Sequence, residues 1–267
     1  MSEAAIVGVA TGAAVVGLKP IAEIMYIDFL TLAMDQLVNQ AAKMRYMYGG
    51  GVKVPLVVRT QQGAGRSAAA QHSQSLEAWF IHVPGLYVVL PSTPYDAKGL
   101  LKSSVRADTP VLFIEHKMLY NLKGPVPESD YEVPLGKGEI KKRGRDVTVV
   151  AYSRMAVLAL QAAEELGREG IDVEVVDPRT LNPLDIGLII QSVAKTGRLV
   201  VVEEGCKTGG VGAELVSLVV ENAMGRLKAS PRRVAGLDIP IPAAPPLESA
   251  TVPDASTIAS AVKEVLA

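Results

Sequence analysis

Residues 147–176 read VTVVAYSRMAVLALQAAEELGREGIDVEVV. The apolar burst Val147–Ala151 is followed by a segment of helical period, Met155–Arg168, then by a stop at Gly170 and a second apolar burst, Val173–Val176. A short, nearly all-apolar run is what a strand covered on both faces needs. Two such runs separated by a helix of this length form a strand–helix–strand unit with parallel strands. Read outward, the same alternation extends in both directions. Upstream, strands are expected at Ile21–Ile27, Val54–Arg59, Tyr87–Leu90 and Val111–Glu115, with helices at Glu3–Val16, Thr31–Tyr46 and Pro94–Val105. Downstream, a strand is expected at Leu199–Val202, with helices at Leu184–Val193, Val211–Glu221 and Ser256–Leu266. Gly17, like Gly170, stands where a helix should stop.

The unit does not repeat without interruption. Residues 117–145 carry Pro125, Pro127, Pro134 and four glycines among alternating charges, with no sustained apolar period. This stretch reads as an interdomain linker, which gives a first domain at 1–116 and a second at 146–267, and 267 residues is an ordinary length for two domains. The fold class is therefore α/β, two domains built on parallel sheets. The proline-rich segment Ile239–Pro246 is expected to run extended over the second domain.

Composition narrows the function classes. Hydrophobic residues make up 49% of the chain and charged residues 21%, with 27 basic against 28 acidic side chains. Such a chain has ample material for a core, which excludes intrinsic disorder, and no net field to draw it to nucleic acid or an anionic membrane. The single Cys206 rules out a disulfide scaffold or a multi-cysteine zinc site. Together with the lack of a long apolar run, these features point to a soluble protein in a reducing cytoplasm.

Chemistry-bearing residues are few. The first helix is studded with Gly8, Ala10, Gly12, Ala13, Ala14 and Gly17, which lowers helicity but permits close approach. Its small stripe serves either a subunit or domain interface or tight packing on its own sheet. Glu3 opens that helix behind the capping candidate Ser2, and by position alone it is a helix-dipole partner. Gly63, Gly65 and Arg66, followed by Ala68–Ala70, form a loop after a parallel strand, the place where ligands bind in such sheets. The loop leads to Gln71-His72-Ser73-Gln74-Ser75. His72 is either an ordinary loop or helix-cap histidine or a catalytic residue, and no Gly-x-Ser-x-Gly marks a hydrolase elbow. A second glycine cluster, Gly205, Gly209, Gly210 and Gly212, lacks dinucleotide and P-loop spacing and reads as a tight strand–helix connection. Cys206 lies in it with nothing adjacent to mark a nucleophile.

Four strings carry a resemblance: Ser2-Glu3-Ala4-Ala5-Ile6-Val7-Gly8, Ala70-Gln71-His72-Ser73-Gln74-Ser75, Pro91-Ser92-Thr93-Pro94-Tyr95-Asp96-Ala97-Lys98-Gly99-Leu100 and Asp177-Pro178-Arg179-Thr180-Leu181. In this order, across most of the chain, they resemble the beta subunit of the thiamine-diphosphate-dependent 2-oxoacid dehydrogenase first component, the group of the pyruvate, branched-chain and acetoin enzymes. The resemblance implies a transketolase-like pyrimidine-binding domain followed by a transketolase-type C-terminal domain. It implies an alpha subunit as partner in an alpha2beta2 assembly, the alpha chain holding the cofactor diphosphate through magnesium. This chain has no Gly-Asp-Gly diphosphate signature, in keeping with the beta role.

Residue by residue, Glu3 matches the family glutamate that hydrogen-bonds the cofactor's pyrimidine ring nitrogen. There a carboxyl group favours the imino tautomer that acts as a general base. Phe29 matches the aromatic that packs on the pyrimidine. His72 matches the channel histidine thought to assist proton transfer as the acyl group passes to lipoamide, a task suited to imidazole. The C-terminal domain is expected to supply subunit contacts, including a beta–beta homodimer interface, and the docking surface for the lipoyl acyltransferase core, but no catalytic residue. The family also binds potassium (K+) through backbone carbonyls near the helix ending at Arg106, where Ala107-Asp108-Thr109 departs from the usual pattern.

The resemblance implies oxidative decarboxylation of pyruvate, and Gln71 before His72 suits the pyruvate and acetoin members. The strings Met118–Pro127 and Pro245-Pro246-Leu247-Glu248 lean towards acetoin cleavage. Family members carry about 50 residues upstream of the Ser-Glu motif, so the first domain is expected to be incomplete, with an uncovered sheet edge and apolar face. Two other readings follow: a non-catalytic docking fragment, and the cofactor-binding half of a transketolase-like enzyme.

Overall fold

The computed structural model describes residues 2–267. The chain opens with α1 (Glu3–Val15), where the Ser2 hydroxyl accepts the Ala5 N–H at 3.3 Å. β1 (Ile21–Ile24) follows, then α2 (Ile27–Leu30), which continues through tightened and then widened turns over residues 31–41 into α3 (Ala42–Met47). β2 (Val57–Gln62), α4 (Glu77–Ile81), β3 (Tyr87–Val89), α5 (Pro94–Arg106) and β4 (Val111–His116) complete the first half. α5 starts as its sequence demands: Thr93 accepts the Asp96 N–H at 3.1 Å and Pro94 takes the first helical turn. The second half holds β5 (Glu139–Lys142), β6 (Val147–Ala151), α6 (Arg154–Arg168), β7 (Val173–Asp177), β8 (Thr180–Asn182), α7 (Ile186–Thr196) and β9 (Leu199–Cys206). α8 (Val211–Ala223), β10 (Arg232–Gly236), α9 (Pro245–Thr251) and α10 (Ala255–Leu266) end it.

Two five-stranded sheets result, ordered β1-β2-β4-β3-β8 and β10-β9-β6-β7-β5. The strands expected from apolar bursts are all present and pair in parallel with one another. The two antiparallel additions, β8 on β3 and β5 on β7, come from segments without such bursts. β8 is only three residues long, and β5 (Glu-Ile-Lys-Lys) is a charged edge strand, a composition that protects an open edge but hides the strand from a periodicity reading. β10 was likewise hidden by Arg232 and Arg233 at the opposite edge. β5 lies inside the proline- and glycine-rich stretch read as a linker, and β8 reaches from the second half into the first sheet.

Three boundaries shift for identifiable reasons. β2 begins at Val57 rather than Val54, because Pro55 offers no N–H to the ladder. β9 runs four residues past Val202 and buries Glu203 and Glu204. The extended segment expected to include Pro246 ends earlier: Pro245 and Pro246 open α9, prolines at a first turn losing no helical hydrogen bond.

α1 is apolar on every side. It buries Val7, Ala10, Thr11 and Ala14 while Val9 and Val16 stand exposed. Its two inner glycines divide accordingly: a Cβ on Gly8 would touch the Gln36 side chain at 3.5 Å, whereas one on Gly12 would meet nothing within 4 Å. Among the described residues no helix is long and apolar enough to cross a membrane.

Candidate active site

β2 and β4 pair in register through Gln62 and His116, so they end at the same level and the loop after β2 crosses that end. Gly63 turns the chain with φ of +99°, and a Cβ there would overlap the His116 imidazole. This is the close approach that the glycine provides. His116 is buried, and its Nδ1 accepts the Met118 N–H at 3.1 Å. The ring proton is thereby placed on Nε2, which donates to the Glu204 carboxylate at 2.9 Å.

Glu204 ties the two halves together. Its other oxygen accepts the Ala64 N–H at 2.7 Å, and Arg154 lies 3.7 Å away. Burial alone would raise its pKa, but the hydrogen bonds from His116 and the Ala64 N–H, with the neighbouring Arg154, hold it below the ordinary carboxylate range. Glu248 in α9 fastens the same loop, accepting from the Gly65 N–H at 2.8 Å and the Ser67 N–H at 2.9 Å. The second domain thus clasps the glycine loop of the first.

His72 stands half-buried at the far end of this loop. Its ring meets Phe29 edge-on with centroids 5.2 Å apart, and Tyr26 edge-on at 6.0 Å. Just beyond, Asp28 accepts from the Gln74 side-chain amide at 2.8 Å, and its second oxygen is buried without a partner. Phe29 and His72, far apart in sequence, therefore form one wall. Glu3 is not part of that contact. It occupies the first turn of α1, which lies against the turns following Phe29. The residue is half-buried, and its carboxyl group makes no hydrogen bond or ion pair among the described residues. The half-buried Phe29 ring offers an apolar face on which a flat heteroaromatic ring can pack.

A second layer of acids lies beneath. Tyr152 donates to Glu77 at 2.8 Å, both fully buried; burial raises the Glu77 carboxyl and pushes the Tyr152 phenol well up. Glu203 accepts the Gly212 N–H at 3.0 Å, and its carboxyl is pushed up to about 8 by burial and by Glu77. The glycine cluster after β9 is thereby explained: a Cβ on Gly212 would come within 2.6 Å of Glu203, so α8 starts on an internal carboxylate. Cys206 sits beside this turn, its thiol raised by burial and by Asp238, the opposite of an activated nucleophile.

A cavity of about 710 Å³ lies between Gln71–Leu76 and the ends of β9 and β10. Among the described residues no group of three or more His, Cys, Asp or Glu side chains is placed to hold a metal ion. His116, Lys117, Glu204 and Glu248 escaped the sequence reading. The available signal was local: Glu115-His116-Lys117 and Glu203-Glu204 are polar residues directly following apolar strand runs, at the carboxyl ends where sheet sites form.

The model of the transketolase pyrimidine-binding domain matches residues 1–123, and that of the transketolase C-terminal domain matches residues 136–258. The chain belongs to the transketolase family. Within it, the chain is 48% identical over 266 residues to the acetoin:2,6-dichlorophenolindophenol oxidoreductase subunit beta of Cupriavidus necator, covering 100% of this chain and 79% of that one. It is 46% identical to the pyruvate dehydrogenase E1 component subunit beta of Gracilaria tenuistipitata var. liui, covering 100% and 82%. A solved chain described as a split-gene transketolase in an inactive beta4 tetramer superposes with a TM-score of 0.82 at 26% identity, over 100% of this chain and 82% of that one. This transketolase-family chain is thus of the beta-subunit type found in the thiamine-diphosphate-dependent dehydrogenases, with the two-domain α/β fold that its sequence implies.

Proposed function

We propose that this chain is the beta subunit of a thiamine-diphosphate-dependent dehydrogenase first component, decarboxylating pyruvate and passing the acyl group to lipoamide. The observation that carries the reading is the wall of Phe29 and His72 at the carboxyl end of the first sheet, with α1, which begins at Glu3, packed on the turns that follow Phe29. Cleavage of acetoin is the second reading, favoured by the 48% identity to the Cupriavidus subunit.

Thiamine diphosphate, when bound, supplies a carbon nucleophile for the substrate carbonyl. Phe29 would pack on its pyrimidine and exclude water from one face. Glu3 would hold a proton against the ring nitrogen. His72, supported edge-on by Phe29 and Tyr26, would move a proton at its imidazole when the acyl group leaves.

The remaining face of the cofactor falls to an alpha subunit in an alpha2beta2 assembly, with magnesium at that subunit's diphosphate site. The exposed apolar side chains Val9, Val16, Leu18 and Ile21 support a partner on this side of the chain. A beta–beta homodimer and an acyltransferase core on the second domain, 146–267, complete the reading. The first domain is 1–116, and K+ would be held by carbonyls beyond Arg106. The single Cys206 suits the cytoplasm.

The test is substrate-dependent reduction of an artificial acceptor by this chain co-expressed with its alpha partner, given thiamine diphosphate and magnesium. Turnover with pyruvate, or with acetoin, supports the reading and names the substrate; turnover with neither defeats it.

A further inference from the structure

The loop that ends at His72 is held in an unfavourable backbone conformation. Ser67 and Ala69 have φ of 52° and 62°, a left-handed conformation that strains a residue with a side chain. Such strain persists only where surrounding contacts over-determine the loop. On the Gly63 side those contacts are the carboxylates of Glu204 and Glu248. On the His72 side the fastening is different. Lys117, the first residue after β4, is 2% exposed, and its ammonium donates to the His72 carbonyl and, at 3.3 Å, to the Gly63 carbonyl. The same nitrogen stands 4.0 Å from the centre of the Tyr26 ring that flanks His72. One buried cation thus touches both ends of the loop and the aromatic wall. Burial lowers its pKa, with Asp28 the largest opposing influence. Burying an ammonium is costly unless its donors are used, and here the acceptors are two loop carbonyls and a π face.

We propose that Lys117 is a positioning residue: it clasps the 63–72 loop and sets the His72 imidazole for proton transfer during acylation of lipoamide. The inference rests on the reading of His72 given above. Lys117 acts through His72 and has no role of its own with substrate.

The test uses the complex with the alpha chain, in Lys117→Met, His72→Ala and the double variant. Lys117→Met is expected to slow reductive acylation of lipoamide about 10- to 100-fold, the cost of misplacing a catalytic group by roughly 1 Å, with KM for the 2-oxoacid unchanged within about 2-fold. In the His72→Ala background the same change should cost less than about 2-fold, because residues that act as a unit are not additive. Hydrogen exchange of peptides covering 63–75 should rise in Lys117→Met while β2 and β4 stay protected. Lys117→Gln retains a donor and serves if the Met variant fails to assemble; its expected loss is intermediate. An undiminished loss in the His72→Ala background, or unchanged exchange over 63–75 in both Lys117 variants, overturns the proposal. If His72→Ala itself acylates at the wild-type rate, the reading of His72 fails and the proposal with it, while exchange still reports the clasp on its own.

Discussion

Glu204→Gln is the substitution that interrogates the junction of the two domains most sharply. The wild-type carboxylate accepts on both oxygens, from His116 Nε2–H at 2.9 Å and from the Ala64 N–H at 2.7 Å. A carboxamide has one oxygen. Whichever way it turns, its NH2 faces a donor: the His116 ring N–H in one orientation, the Ala64 backbone N–H in the other. His116 cannot escape by moving its proton to Nδ1, since that atom accepts the Met118 N–H. One buried donor pair is left unsatisfied, costing about 1–3 kcal/mol, and the surviving bond loses its charge assistance, about 1 kcal/mol more. The expected loss is therefore roughly 2–4 kcal/mol. Urea unfolding followed through the single Trp79 reads it as a lower midpoint with an unchanged slope. The difference between wild type and variant should also narrow in acid. The folded-state pKa of Glu204 is depressed, so its contribution is present above the unfolded pKa and is lost as pH falls through the folded one. A loss below about 0.5 kcal/mol would refute the assigned tautomer of His116 and the reasoning built on it.

Glu203 carries the opposite sign. Its carboxyl is pushed up to about 8, so the stability it contributes is full below the unfolded pKa and is lost as pH rises through the folded value. Glu203→Gln should flatten the decline in unfolding free energy between about pH 4.5 and 8, and a parallel decline in both proteins would contradict the assignment. Gly63→Ala should destabilise by about 2 kcal/mol or more, because φ of +99° is costly for alanine and the added methyl meets His116. Urea unfolding checks it. Phe29→Ala should weaken thiamine diphosphate binding about 10-fold, the worth of a stacked aromatic face. Calorimetric titration of the assembled complex measures it, and unaltered affinity would place the pyrimidine elsewhere.

The strands that are nearly all apolar, such as Val147–Ala151 and Leu199–Val202, were legible because both faces of a central parallel strand are covered, and burial leaves a mark on every residue. Edge strands carry no such mark. β5, β8 and β10 are short or charged, and they exist because a neighbouring strand offers hydrogen-bonding groups, which is a tertiary fact. The site divides in the same way. Phe29 and His72 are named by the family resemblance, His72 within one of its strings and Phe29 outside them, and the fold brings the two rings together. The clasp of His116, Lys117, Glu204 and Glu248 was not, since it joins residues as distant as Gly65 and Glu248 whose individual neighbourhoods look like ordinary strand and helix ends.

The role of Glu3 is the centre of the account, and the exchange of the proton on the reactive carbon of bound thiamine diphosphate tests it most directly. Measured by deuterium incorporation in the complex with the alpha chain, this rate should fall about 100- to 10,000-fold in Glu3→Gln, the usual contribution of a positioned acid–base group, with the chain still folded and the cofactor still bound. An exchange rate equal to that of the wild type would contradict the assignment of Glu3 and, with it, the beta-subunit chemistry proposed for this chain.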